Sequence, residues 1–140
     1  MRGKTHAGLL AASALLAFAG MPAHAHSTER ESTETVIIWM PNLEGRQSVI
    51  GAVEPSEFGT HVIVRYLRKT PSGWAQKEKL RVKLSEPSDT RPRLNLFTTT
   101  FDQVTKKGRC KVTVRYPGTE TLAPSSTQQI LDCPSGYVYE

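Results

Sequence analysis

The sequence predicts an all-β protein, a single two-sheet antiparallel β-sandwich of immunoglobulin-like architecture with about seven strands. Past the first 25 residues, no apolar residues recur at helical spacing for more than about two turns. Short runs rich in Val, Ile, Thr and Tyr recur instead, separated by turns that contain Pro or Gly. The only two cysteines, Cys110 and Cys133, open one such run and close the next, as residues on neighbouring antiparallel strands would.

The start of the chain has the pattern expected of an export signal. Arg2 and Lys4 give a positive beginning, Ala7 to Met21 is small and apolar, and Ala23-His24-Ala25 fits the small-x-small pattern of signal peptidase. Residues 1–25 are therefore expected to be a cleavable signal peptide for bacterial Sec export, leaving a periplasmic or secreted protein. The apolar stretch is shorter than the roughly 20 residues that span a bilayer, and no later segment is continuously apolar, so no transmembrane anchor is expected after processing. Residues 26–34 have nothing to bury and read as a flexible lead-in. Residues 35–140 make one domain, long enough to enclose its own core.

Within that domain the strand candidates are Thr35 to Met40, Gln47 to Val53, His61 to Arg68, Trp74 to Leu84, Arg93 to Phe101, Arg109 to Tyr116 and Thr127 to Cys133. Pro41 to Gly45, Glu54 to Gly59, Thr70 to Gly73, Ser85 to Pro92, Lys106 to Gly108 and Pro117-Gly118 separate them. Trp39, Tyr66, Leu80, Val82, Leu94, Leu96, Val112 and Val114 are the expected core. Only the architecture resembles immunoglobulin-like domains, because Trp39 and Trp74 both precede Cys110 and position 131 is Leu where those domains place a Tyr.

In an oxidising compartment the cysteines are expected as a structural disulfide. If they face each other directly, Val112 lies opposite Leu131, Val114 opposite Gln129 and Lys111 opposite Asp132. The close C-x-x-C spacing of redox and metal sites is absent.

Charge is unevenly spread. The tag removes Arg2 and Lys4, so 18 basic residues become 16 against 13 acidic ones, a mature net charge of +3. Residues 26–60 carry −4, residues 61–116 carry +10 and residues 117–140 carry −3. Lys77, Lys79, Arg81 and Lys83 alternate with Glu78, Leu80 and Val82, which on a strand sets a row of cations about 6.7 Å apart on one face. Arg65, Arg68 and Lys69 on the preceding strand widen the row. Such a patch is expected to bind an anionic cell-envelope polymer or an acidic protein surface, although basic side chains also guard edge strands against pairing. Nucleic acid is not expected, since the row lacks the interleaved aromatic residues on which bases stack.

Two further readings remain open. The Pro-rich segment Ser85 to Pro92 is a candidate protruding loop for a periplasmic inhibitor or immunity-type protein. Cleavage after Ala25 leaves His26 at the terminus, where its amine and imidazole could chelate Cu(II) with His61 as the added ligand, so a copper carrier is the other alternative. Catalysis is not expected, because H-E-x-x-H, G-x-S-x-G and Gly-rich phosphate loops are all missing.

Overall fold

Alternation of buried and exposed side chains organises the chain in the computed structural model, which describes residues 29–87, 89–104, 106–133 and 138–139. Its strands are β1 (Glu34–Trp39), β2 (Asn42–Leu43), β3 (Arg46–Glu54), β4 (His61–Thr70), β5 (Gly73–Lys83), β6 (Asn95–Val104), β7 (Gly108–Tyr116), β8 (Ser125–Cys133) and β9 (Val138–Tyr139). No helix occurs among the described residues. One sheet has the antiparallel order β5-β4-β7-β8. The other is built around β3, with β6 on one side, β1 and then β2 on the other, and β9 parallel to β2. The expected all-β, two-sheet architecture is thus present.

The core lies between the sheets. Val62, Val64 and Tyr66 of β4 and Val112, Val114 and Tyr116 of β7 point inward, against Val49 and Val53 of β3 and Phe97 and Phe101 of β6. Tyr66 stacks on Phe101 at 5.0 Å between ring centroids, which ties the two sheets together. Each such side chain contributes about 1.5–3 kcal/mol when fully buried. Gly51 makes room for one of them. It pairs with Ile37 and Phe97 on the inward row, and a β-carbon there would overlap the Phe97 ring and the Val36 carbonyl oxygen.

Two expected core residues face outward. Trp39 is 42% exposed because a bulge between Ile37 and Trp39 shifts the alternation of β1 and turns the indole to the outer face. Leu96 is 40% exposed because β6 runs in the opposite phase, with Asn95, Phe97 and Phe101 buried instead. Buried Asn95 donates to the Ser56 hydroxyl at 2.7 Å and to the Ser56 carbonyl at 3.1 Å, anchoring the turn after β3. Tyr66, Val112 and Val114 are buried as expected, with Leu80 and Val82 packed against the core.

Cys110 and Cys133 form a disulfide with 5.9 Å between their α-carbons. They are not directly opposite each other, and this corrects the expected register. Cys110 pairs with Leu131, Gly108 with Cys133, Val112 with Gln129, Val114 with Thr127 and Lys111 with Ile130. The bridge therefore runs diagonally, a reach that strand twist shortens. Asp132 consequently meets Arg109, at 3.2 Å, and not Lys111.

Part of the stretch read as a lead-in, residues 26–34, falls within the described chain. Glu31 donates its N–H to the Thr121 carbonyl and accepts from the N–H of Ala123, and its carboxylate binds Arg93 at 2.7 Å. Thr33 adds a hydroxyl bond to Ala123. Polar hydrogen bonding holds this segment where apolar side chains are lacking. The region expected as a signal peptide lies outside the described residues.

Candidate functional site

The outer face of the β5-β4-β7-β8 sheet collects the positive charge. On β4 the inward residues Val62, Val64 and Tyr66 leave His61, Ile63, Arg65, Leu67 and Lys69 pointing out. Register then places Lys79 beside Arg65 and Thr113, Arg81 beside Ile63 and Arg115, and Lys83 beside His61. Lys111 and Arg109 extend the face on β7, next to Ile130 and Asp132 of β8.

The expected row and patch are only partly assembled. Lys79, Arg81 and Lys83 are exposed together, joined by Arg65 and Lys69. Lys77 stands at a bulge, because Tyr66 pairs with Glu78 while Leu67 pairs with Gln76. It lines a recess with Tyr66, Arg68, Gln103 and Lys106, away from the other three. Glu78 turns towards β6 and accepts from the Asp102 N–H at 2.9 Å and the Gln103 N–H at 3.3 Å. Arg68 also leaves the patch. Its guanidinium donates to the carbonyls of Lys106 at 2.8 Å and Lys107 at 3.1 Å and to the Tyr66 hydroxyl at 3.2 Å, so it clamps the turn before β7.

Arg115 and Lys111 are the functional candidates that sequence reasoning missed. Arg109, Lys111, Thr113 and Arg115 alternate with Cys110, Val112 and Val114, which was a readable signal. What the sequence did not show was that β7 lies beside β4.

Among the described residues, the ion pairs are Arg91 with Glu54 at 2.6 Å, Arg93 with Glu31 at 2.7 Å and Arg109 with Asp132 at 3.2 Å. Arg65, Lys79, Arg81, Lys83 and Arg115 have no acidic partner there. Adjacent outward positions lie about 6.7 Å apart along a strand and about 4.8 Å across strands. Both spacings fall within the screening length of roughly 8 Å at physiological salt, so the fields of these charges overlap.

Aromatic rings stand at the ends of the face. Trp74 has the Lys111 ammonium 4.7 Å and the Lys69 ammonium 5.5 Å from a ring centroid. At the other end the Lys83 ammonium is 5.5 Å from the centroid of Phe58, which is 57% exposed. Between them are two shallow hollows. One, of about 400 Å³, is lined by Arg65, Thr113, Arg115, Ser126 and Gln128, with Val114 and Thr127. The other, of about 570 Å³, is lined by Gly59, Thr60, His61, Ile63, Arg81, Pro117 and Gly118.

The remaining candidates lie elsewhere. His26 is outside the described residues; His61 lines the second hollow, and no group of three or more His, Cys, Asp or Glu forms a metal cluster among the described residues. The segment Ser85 to Pro92 is tethered at its base, where Ser85 donates its N–H and hydroxyl to the Leu96 carbonyl and Arg91 forks onto Glu54. That fork raises the Arg91 pKa above its ordinary value. Likewise the hydrogen bond from Arg93 holds the Glu31 carboxyl below the usual glutamate range.

The chain matches no family model, no curated protein and no solved structure in comparisons with each.

Proposed function

We propose that this protein is an exported, non-enzymatic binding module that contacts an anionic surface of the cell envelope through the outer face of its β5-β4-β7-β8 sheet. One observation carries the reading: Arg65, Lys79, Arg81, Lys83 and Arg115 share that face with no acid in ion-pair range among the described residues. Like charges held at strand spacing repel one another, and a polyanion laid across them relieves that repulsion. Export is supported by the leader pattern in residues 1–25 and by the Cys110–Cys133 disulfide, which suits an oxidising compartment.

A guard against edge pairing explains the basic residues on β5, which is an edge strand, but not those on the interior strands β4 and β7. Arg65 and Arg115 therefore favour binding over protection alone. The test is retention on an immobilised polyanion such as polyphosphate across a salt gradient. The K79E/R81E/K83E variant should elute at much lower salt than the wild type, while K106E/K107E, outside the face, should change elution less. Equal elution of the wild type and the triple variant would remove the basis of the proposal.

A further inference from the structure

We infer that the hollow between Arg65 and Arg115 is a specific subsite for a phosphorylated or sulfated oligosaccharide, an inference that rests on the anionic-surface reading and narrows it to a ligand class. The lining has two kinds of group. Arg65 and Arg115 are diagonal neighbours on β4 and β7, since Arg65 faces Thr113 while Arg115 faces Ile63. Their guanidiniums offer planar pairs of N–H donors that fit a tetrahedral oxyanion, which a lysine ammonium does not match in geometry. Around them stand Thr113, Ser126 and Gln128, uncharged groups that both donate and accept. That pairing of forked cations with hydroxyls and an amide suits an ester oxyanion on a polyhydroxylated ring.

A volume of about 400 Å³ lies within the range of ligand sites. The hollow is open, and the Arg81–Ile63–Arg115 rung connects it to the second hollow beside His61. An extended chain can therefore lie across both. Bases are poorly served here, because the aromatic rings Trp74 and Phe58 sit at the ends of the face and not in the hollow. Within this division, Lys79, Arg81 and Lys83 attract the polymer and the two arginines with their neutral neighbours select it.

The experiment compares a sulfated tetrasaccharide with a linear polyphosphate of equal charge, using the wild type, R65K/R115K and T113V/Q128L. R65K/R115K keeps every charge and loses only the forks. Its tetrasaccharide affinity should fall about tenfold, and polyphosphate elution should shift by a smaller factor, because polyphosphate is held along the whole face by Lys79, Arg81 and Lys83 as well. T113V/Q128L should weaken the tetrasaccharide alone, and circular dichroism identifies either variant if it misfolds. The wild type should also bind a phosphorylated tetrasaccharide, free or lipid-anchored, and the ratio of the two affinities tells a soluble glycan from a membrane-borne one. Tetrasaccharide and polyphosphate binding that fall by the same factor, or that both stay unchanged, overturn the subsite. Loss of all polyanion binding by the wild type itself would instead overturn the anionic-surface reading.

Discussion

Replacing Gly51 with Ala probes a tightly packed point of the core. An added β-carbon would overlap the edge of the Phe97 ring and the carbonyl oxygen of Val36. Neither neighbour yields easily, since Phe97 is 1% exposed inside the core and the oxygen belongs to the backbone of β1. Overpacking of a core by one methyl typically costs about 1–3 kcal/mol. Alanine recovers roughly 0.4–1 kcal/mol by restricting the unfolded chain. The net loss should be about 1–2 kcal/mol, and at roughly 4–8 °C per kcal/mol the melting temperature should fall by about 5–15 °C. Urea denaturation gives the free energy and thermal circular dichroism gives the temperature. In a double-mutant cycle, Phe97→Leu removes the ring edge, so Gly51→Ala should cost less in that background, with a coupling of about 0.5 kcal/mol or more. The relief should be partial, because the Val36 oxygen stays in place. A Gly51→Ala protein as stable as the wild type would show that the Phe97 ring does not occupy this position.

Cys110→Ser/Cys133→Ser opens a loop closed at a separation of 23 residues, and should lower stability by about 3 kcal/mol in urea titrations; a loss under 1 kcal/mol would contradict a bridged native state. Glu31 provides the pH dependence. Arg93 depresses its folded-state pKa, so the contribution is present above the ordinary glutamate value near 4.3 and is lost as pH falls through the lower folded value. Glu31→Gln should therefore flatten the acid limb of urea midpoint against pH, and an unchanged limb would place the acid sensitivity elsewhere. Trp39→Ser should cost less than about 1 kcal/mol, against roughly 3–5 kcal/mol for Phe101→Ala, because Phe101 is fully buried and Trp39 is not. Urea titration of the two variants settles the ordering.

The architecture was legible because the alternation in β4 and β7 is strong: Val62, Val64, Tyr66 and Val112, Val114, Tyr116 are all inward. Alternation has a blind spot, however. A slip of two residues leaves every side chain on its own face, so the pattern alone could not separate the expected β7–β8 register from the observed one. Direct opposition of the cysteines was the wrong tie-breaker, and the Arg109–Asp132 pair marks the right one. Bulges were the second blind spot. At Trp39 and at Lys77 one extra residue reverses the phase, sending an aromatic expected in the core outward and taking a cation out of its row. Neither Ile38 nor Lys77, the residues at the two bulges, is a Gly or Pro that would announce it.

Strand order turned a stripe into a surface. Two nearby strands, β4 and β5, were expected to supply all the cations, yet the chain crosses to the other sheet for β6 before returning as β7 beside β4. That excursion brings Arg115 and Lys111 next to Arg65 and carries no comparable charge to the outer face of the β3 sheet, where Val36, Trp39 and Leu96 are exposed instead. The net charge of +5 over the whole chain therefore understates the positive charge gathered on one side of the sandwich. The acids Glu31 and Glu54 pair with Arg93 and Arg91 away from the cationic face, and among the described residues Arg65, Lys79, Arg81, Lys83 and Arg115 have no acid in ion-pair range. The topology and the placement of a few carboxylates, more than the total charge, set the positive potential of this face.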